Sequence, residues 1–162
     1  MKLFIQTLLL LSIAFPAFSA VKVGDQVSAI KIQNQFEETA ELTADTQWII
    51  FSSDMKAAKL LTEYLSEENA KKTDLSKTLI ISDISKMPGM ISKMFAIPKM
   101  KKYAFKLALD KTGEATKDFP RQEGSLTVIK VAQFKVESIE QLSSSEAVKS
   151  FFVGKQLSVV PQ

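Results

Sequence analysis

The segment from residue 47 to residue 58 constrains the fold of this chain most strongly. Residues 47–51 form an apolar run that ends in Ser52, Ser53 and Asp54, after which apolar residues return at helical spacing. A continuous apolar run is typical of a central strand covered on both faces, and Asp54 is suited to cap a helix N-terminus. The sequence therefore predicts a strand, a turn and a helix, with a candidate ligand site at the turn.

Further apolar patterns predict an α/β domain built on one mixed sheet. A buried strand at residues 78–83 follows the first helix, so we expect two parallel strands joined by a right-handed crossover. The first helix is expected to end near residues 69–72, and helices are expected on both faces of the sheet. The other predicted elements are hairpin strands at 29–33 and 39–42, a helix at 85–97 stopped by Pro98, a strand at 104–109, a hairpin turn at 110–113, strands at 126–131 and 134–139, and a helix at 147–153 after a capping box of Ser143 and Glu146.

The N-terminus has the pattern of a secretory signal peptide. Lys2 precedes an apolar run at residues 3–15, and small residues follow it. Residues 1–19 are therefore predicted to be removed by cleavage after Ser19, with cleavage after Ala20 as the alternative. A retained membrane anchor is the other interpretation, but the run is shorter than the roughly 20 residues that a span needs.

Length and composition exclude several classes of protein. A chain of 162 residues suits one domain, which we place at residues 21–154 with a loose tail at 155–162. The chain has no Cys and no His, which excludes thiol redox chemistry, thiolate or imidazole metal sites and Ser-His-Asp catalysis. The net charge of +3 is too small to indicate nucleic-acid binding. We expect a periplasmic protein with no transmembrane span after processing.

Three local patterns carry a resemblance to a known fold. Residues 23–27 (VGDQV), residues 48–58 and residues 105–113 occur in an order that resembles the thioredoxin-like fold. The likeness is to its peroxiredoxin-type variant, which has an added N-terminal β-hairpin. The chain also resembles a group of small exported bacterial proteins that lack the redox cysteines. The resemblance implies a thioredoxin-like mixed sheet with helices on both faces.

The chain departs from that family where its chemistry is carried out. In place of the cysteine pair or peroxidatic cysteine it has residues 53–57 (SDMKA), and Ala104 falls at the position expected for the cis-proline. A thiolate is the nucleophile in these reactions, and a non-proline cis bond costs about 2.5–4 kcal/mol, so we expect a trans bond there. We predict neither a thiol oxidoreductase nor a thiol peroxidase, and no cofactor. A flavin- or copper-dependent oxidoreductase or a metal-handling protein is the alternative, although no phosphate-binding glycine motif is present.

The former active-site edge is the candidate binding surface for a partner protein or a small ligand. A helix cap without further function is the alternative, and a catalytic Ser–Asp pair would have only Lys56 as its base. Arg121, the single arginine, could bind a carboxylate or phosphate, or pair internally with Glu123 or Asp54. The candidate residues are Ser52, Ser53, Asp54, Met55, Tyr103, Ala104 and Arg121.

Two further patterns lie between residues 87 and 106. Met87, Met90 and Met94 have the spacing of one helix face and could hold Cu(I), but with Ile91 and Phe95 on the same arc they favour core packing. Lysines cluster around Tyr103 and could meet anionic lipid or an acidic partner, or form a solvated loop. They are Lys99, Lys101, Lys102 and Lys106.

Overall fold

Seven strands form one mixed sheet in a computed structural model, which describes residues 20–154. The strands are β1 (Lys31–Asn34), β2 (Thr39–Glu41), β3 (Trp48–Ser52), β4 (Thr78–Asp83), β5 (Ala108–Asp110), β6 (Leu126–Ala132) and β7 (Lys135–Leu142). Their order across the sheet is β2-β1-β5-β4-β3-β6-β7. The α/β class, the mixed sheet and the N-terminal hairpin are confirmed. The predicted signal peptide and C-terminal tail lie outside the described residues.

Strand β3 occupies an interior position because its side chains are apolar in both directions. All five of its residues are buried. It pairs in parallel with β4 and antiparallel with β6. The predicted parallel crossover is therefore confirmed.

The helices are α1 (Met55–Tyr64), α2 (Glu67–Lys72), α3 (Gly89–Ile91), a π-helical segment (Ser92–Ala96), α4 (Ile97–Met100) and α5 (Ser145–Gly154). Because α3, the π segment and α4 follow one another directly, we call them the 89–100 helix. The predicted first helix is divided in two, since α1 ends at Tyr64 and Ser66 stands before α2. None of the helices in residues 20–154 is both long and apolar enough to span a membrane.

Three predicted boundaries are wrong for local reasons. Pro98 does not stop its helix, because the π segment ends before it and proline lies in the first turn of α4, where a missing N–H is tolerated. The cap of α5 is Ser144, whose Oγ accepts a hydrogen bond from the Ala147 N–H, and not Ser143. The turn at residues 110–113 closes no hairpin, because β6 pairs with β3 and β7 rather than with β5.

Two core clusters lie on the two faces of the sheet. The first core cluster contains Ile50 and Ile80, together with the buried apolar residues of α1, α2 and α5. The second contains Ile49 and Phe51, and segments outside the helices cover it, such as the stretch around Val27 and the turn at Phe119. The connections from β3 to β4 and from β4 to β5 both lead towards the same edge of the sheet. Because such connections between parallel strands are right-handed, their helices lie on the same face of the sheet.

Candidate functional site

The carboxyl ends of three parallel strands meet at one edge of the sheet. Strands β3, β4 and β5 all run in the same direction, so the residues that follow them lie along that edge. The loop between β5 and β6 returns across it before β6 begins. In open α/β sheets this edge is where ligands bind.

Asp54 fixes the start of α1. Its Oδ1 accepts a hydrogen bond from the Ala57 N–H at 2.9 Å, which confirms the predicted N-cap. Its Oδ2 accepts a hydrogen bond from the Gly124 N–H, also at 2.9 Å. Burial alone raises the pKa of this carboxyl, but the backbone N–H groups and the Ser53 hydroxyl stabilise its charged form, and the pKa lies below its ordinary value.

Gly124 is placed where a larger residue would not fit without strain. Its φ is +69°, in the left-handed region that favours glycine. A Cβ atom at this position would lie 2.8 Å from Cδ of Lys56. The loop end therefore approaches the first turn of α1 closely, and the carboxylate of Asp54 holds it there.

Arg121 is committed to an internal ion pair. Its Nη1 donates to Oδ2 of Asp83 at 2.7 Å, and its Nη2 donates to the carbonyl oxygen and to Oγ1 of Thr116, both at 3.0 Å. The guanidinium also lies 4.9 Å from the ring centroid of Phe51. An internal partner is confirmed, but it is Asp83, and the expected partners Glu123 and Asp54 are wrong.

Asp83 is the acidic end of β4 and is almost fully buried, with 5% of its side chain exposed. Burial by itself raises the pKa of this carboxyl. Hydrogen bonds from the Ser85 hydroxyl and backbone, together with the charge of Arg121, outweigh that effect, so the pKa lies below its ordinary value. Loss of one of these partners would leave a buried charge uncompensated, which is strongly destabilising.

Asp110, at the end of β5, organises the next turn. Its Oδ1 accepts from the Gly113 N–H at 2.8 Å, and its Oδ2 accepts from the backbone and hydroxyl of Thr116, both at 2.9 Å. Thr116 thus links this carboxylate to Arg121. The ends of β4 and β5 are thus joined to the loop by one hydrogen-bond network, and Asp54 at the end of β3 binds the same loop separately through Gly124.

The structure separates the predicted site residues into buried and accessible groups. Ser52 is buried, and its Oγ–H donates to Oγ of Ser82 at 3.0 Å. Met55, the first residue of α1, has 80% of its surface exposed. Ser53 donates to Asp54 at the long distance of 3.5 Å, which offers no activated nucleophile.

Tyr103 and Ala104 precede β5. The Tyr103 ring stacks on Phe105 with centroids 5.3 Å apart and packs against the first core cluster, while Ala104 is exposed. Burial raises the pKa of the Tyr103 hydroxyl. Strand β5 pairs with β1 and β4, and no hydrogen bond joins these two residues to the Asp54 side chain.

The three methionines of the predicted copper set do not share one environment. Met87 packs against the first core cluster, whereas Met90 and Met94 are exposed. The expectation that this stripe fills the core is therefore wrong for Met90 and Met94. Within residues 20–154, no group of three or more Asp, Glu, His or Cys residues could hold a metal ion.

Solved structures share this architecture at low sequence identity. A candidate protein disulfide isomerase from Bacteroides thetaiotaomicron matches over 84% of this chain and 89% of its own, at 12% identity and a TM-score of 0.57. Peroxidoxin BcpB from Mycobacterium tuberculosis matches over 83% and 96%, at 12% identity and 0.54. The exposed lipoprotein thioredoxin Etrx1 from Streptococcus pneumoniae matches over 78% and 99%, at 13% identity and 0.53. The chain has a thioredoxin-like fold. No protein-family model and no curated protein sequence matches it.

This thioredoxin-like domain carries no cysteine at the start of α1, where the resemblance places the redox group. The segment that faces this point is the end of the loop before β6, because Gly124 donates to Asp54. Ala104, which the resemblance places at the cis-proline position, precedes β5, whereas Gly124 lies before β6. No peptide bond in residues 20–154 is cis.

Sequence reasoning missed five residues of this thioredoxin-like edge. Asp83 and Asp110 could have been found, because each ends a buried strand of the parallel set. The positions of the other three depend on how the loop before β6 folds back, and the periodicity of the sequence does not predict that. They are Thr116, Gly124 and Ser125.

Proposed function

We propose that this thioredoxin-like domain is an exported binding module that recognises a partner protein at the edge where α1 begins, without thiol chemistry. The observation that carries the proposal is the exposure of Met55 directly beside the hydrogen bond between Asp54 and Gly124. An apolar side chain is thus exposed to solvent on a helix start that Asp54 fixes through two hydrogen bonds. Fixed supports lower the ordering cost of association.

The residues at this edge support recognition rather than catalysis. Disulfide exchange and thiol-based peroxide reduction both need a cysteine thiolate, and the chain has no cysteine. The carboxylate of Asp54 accepts hydrogen bonds from Ala57 and Gly124. Arg121 is held by Asp83 and Thr116. The polar groups therefore maintain the shape of the edge.

A protein partner fits this edge better than a small ligand. Small-molecule sites are concave and enclose most of the ligand. A cavity of about 420 Å³ lies between α1, α2 and α5, where Leu60, Tyr64 and Val153 line it, and not at this edge. Exposed methionine side chains adapt to the surfaces of protein partners.

Export is part of the proposal and has two supports. The N-terminal 19 residues have the charge, apolar run and small residues of a signal peptide. One protein of similar fold is described as an exposed lipoprotein thioredoxin. The absence of Cys is also compatible with an oxidising compartment.

Site-specific photo-crosslinking in intact cells tests the proposal. A photoreactive residue replaces Met55 in one variant of this chain and Gln122, in the neighbouring loop, in a second variant. The matched control replaces Asp45, which is exposed in the turn before β3 at the opposite edge. We expect the same crosslinked product from positions 55 and 122 and none from position 45.

A competition experiment makes this test specific. Added protein with the native edge should suppress the crosslink, and the Met55→Glu variant should suppress it at least about tenfold less, since loss of a residue that dominates an interface costs about 2 kcal/mol or more. Equal crosslinking at all three positions, or equal competition by Met55→Glu, would reject a binding site at this edge.

A further inference from the structure

Four large apolar side chains on the 89–100 helix are exposed to solvent. They are Met90, Ile91, Met94 and Phe95, and their exposed fractions lie between 49% and 75%. Their spacing makes them neighbours on one side of the helix. The other side packs against the first core cluster through Ile97 and Met100. Folding therefore leaves a contiguous apolar surface uncovered by the described residues, and such surfaces mark interaction sites.

The same part of the chain holds a strong excess of positive charge. Residues 84–109 contain six lysines and no Asp or Glu. Because the net charge of the whole chain is +3, the rest of the chain carries a net charge of −3. Lys106 pairs with Glu38 at 2.9 Å. The other five, Lys86, Lys93, Lys99, Lys101 and Lys102, are exposed, and no carboxylate in residues 20–154 lies within ion-pair distance of them.

We propose that the outer side of the 89–100 helix, with its adjoining lysines, docks this domain on an anionic phospholipid bilayer. Exposed apolar side chains beside lysines are the chemistry of helices that lie in the plane of a membrane surface. The side chains of Met94 and Phe95 enter the boundary of the acyl chains, and the lysines contact lipid phosphates. This surface is separate from the Met55 edge, and the proposal does not depend on the proposed function.

Charge complementarity selects a bilayer over other occupants. A stretch of 26 residues without a single carboxylate meets no repulsion from a uniformly negative surface. The apolar side chains project from the outer side of a helix whose inner side is already packed, so they suit insertion into a soft surface. A second copy of this chain would bring a second set of lysines against the first, which opposes self-association.

Vesicle co-sedimentation tests the docking surface directly. Both core clusters, with the residues packed against them, lie between Val21 and Phe152, so a chain of residues 20–162 keeps the whole described core. It also lacks the apolar run at residues 3–15, which would bind lipid by itself. We expect binding to vesicles of equal phosphatidylglycerol and phosphatidylcholine at about 0.1 M salt, and at least about tenfold weaker binding to phosphatidylcholine alone or at about 0.5 M salt.

Matched variants separate the charged and apolar contributions. The pair Lys101→Gln and Lys102→Gln should weaken binding about thirtyfold, because each lysine near an anionic surface contributes about fivefold. The control pair Lys77→Gln and Lys149→Gln removes the same charge from exposed positions elsewhere and should change binding less than about threefold. Replacing both Met94 and Phe95 by Ser should weaken binding at least about tenfold.

A fluorescent probe distinguishes insertion from charge attraction alone. In Phe95→Trp, the new side chain should shift its emission to the blue with anionic vesicles, while the buried Trp48 gives a constant background. Met55→Trp should show no shift. The proposal would be overturned by equal binding to neutral and anionic vesicles, by an equal loss of binding in both lysine pairs, or by an unchanged emission at position 95. It would also be overturned if an acidic protein bound this surface while vesicles did not.

Discussion

Oδ2 of Asp83 accepts a hydrogen bond at 2.7 Å from Nη1 of Arg121, although the two residues lie 38 positions apart in the sequence. The contact joins the end of β4 to the loop that leads into β6. Thr116 accepts from the other nitrogen of the same guanidinium. This ion pair therefore fixes the loop before β6 against the end of β4.

Replacing Arg121 with Met should lower the free energy of unfolding by about 2 kcal/mol. The buried Asp83 carboxylate would lose its partner, and breaking such a pair from one side costs about 3–5 kcal/mol when both groups are buried. Arg121 is about a third exposed, which reduces the loss. Urea unfolding of residues 20–162 measures it. The double variant Arg121→Met with Asp83→Asn should recover part of the loss, and additive losses would show that the pair is not coupled.

Stability should fall in acid through Asp54 and Asp83. Their pKa values are lowered in the folded protein, so their contribution is complete above the unfolded pKa of about 3.9. It is lost as the pH falls from there through the folded values. Unfolding measured between about pH 2 and pH 6 should show a shallower acid decline in Asp83→Asn than in the native protein. An unchanged decline in Asp83→Asn would contradict the assignment.

Gly124→Ala should destabilise the domain by about 1–2 kcal/mol. The cost has a backbone part, from φ of +69°, and a steric part, from the 2.8 Å approach of a new Cβ to Lys56. Adding Lys56→Ala should remove only the steric part. Thermal unfolding of the single and double variants measures both parts. Gly89→Ala is the control, because its Cβ would meet nothing within 4 Å; equal effects at both glycines would refute the close approach.

Ser125→Ala should leave stability unchanged or raise it by up to about 1 kcal/mol. The Ser125 hydroxyl is buried directly before β6 and has no hydrogen-bond partner among residues 20–154, and unsatisfied buried polar groups are costly. Ser52→Ala is the matched comparison, because its hydroxyl donates to Ser82, and it should lose about 1 kcal/mol. Chemical unfolding checks both. A loss at Ser125 as large as that at Ser52 would show that its hydroxyl has a partner.

Elements with a strong local signal were predictable from the sequence. Strand β4 was predicted at residues 78–83, where the structure places it, because an apolar run bounded by polar residues leaves little choice. The cap at Asp54 follows from side-chain chemistry alone. The parallel pairing of β3 and β4 follows from the length and handedness of a crossover.

Features that depend on contacts distant in sequence were not predictable. Arg121 had two acidic candidates, Glu123 and Asp54, and only the return of the loop across the sheet pairs it with Asp83 instead. Likewise, Gly124 and not Ala104 faces Asp54, because the strand that follows each residue joins a different part of the sheet. Periodicity assigned Met94 and Phe95 to the core, since spacing shows which residues share a helix side but not whether another element covers it.

Two phenylalanines allow the distinction between a covered and an uncovered helix side to be tested by stability measurements alone. Phe95 is 68% exposed on the 89–100 helix, and Phe105 is 6% exposed in the first core cluster. Phe95→Ala should change the free energy of unfolding by less than about 0.5 kcal/mol, whereas Phe105→Ala should cost about 3–5 kcal/mol through lost burial and a cavity. Urea unfolding of residues 20–162 without lipid compares them. A loss above about 2 kcal/mol for Phe95→Ala would place that ring in a packed interior and remove the apolar surface proposed for membrane docking.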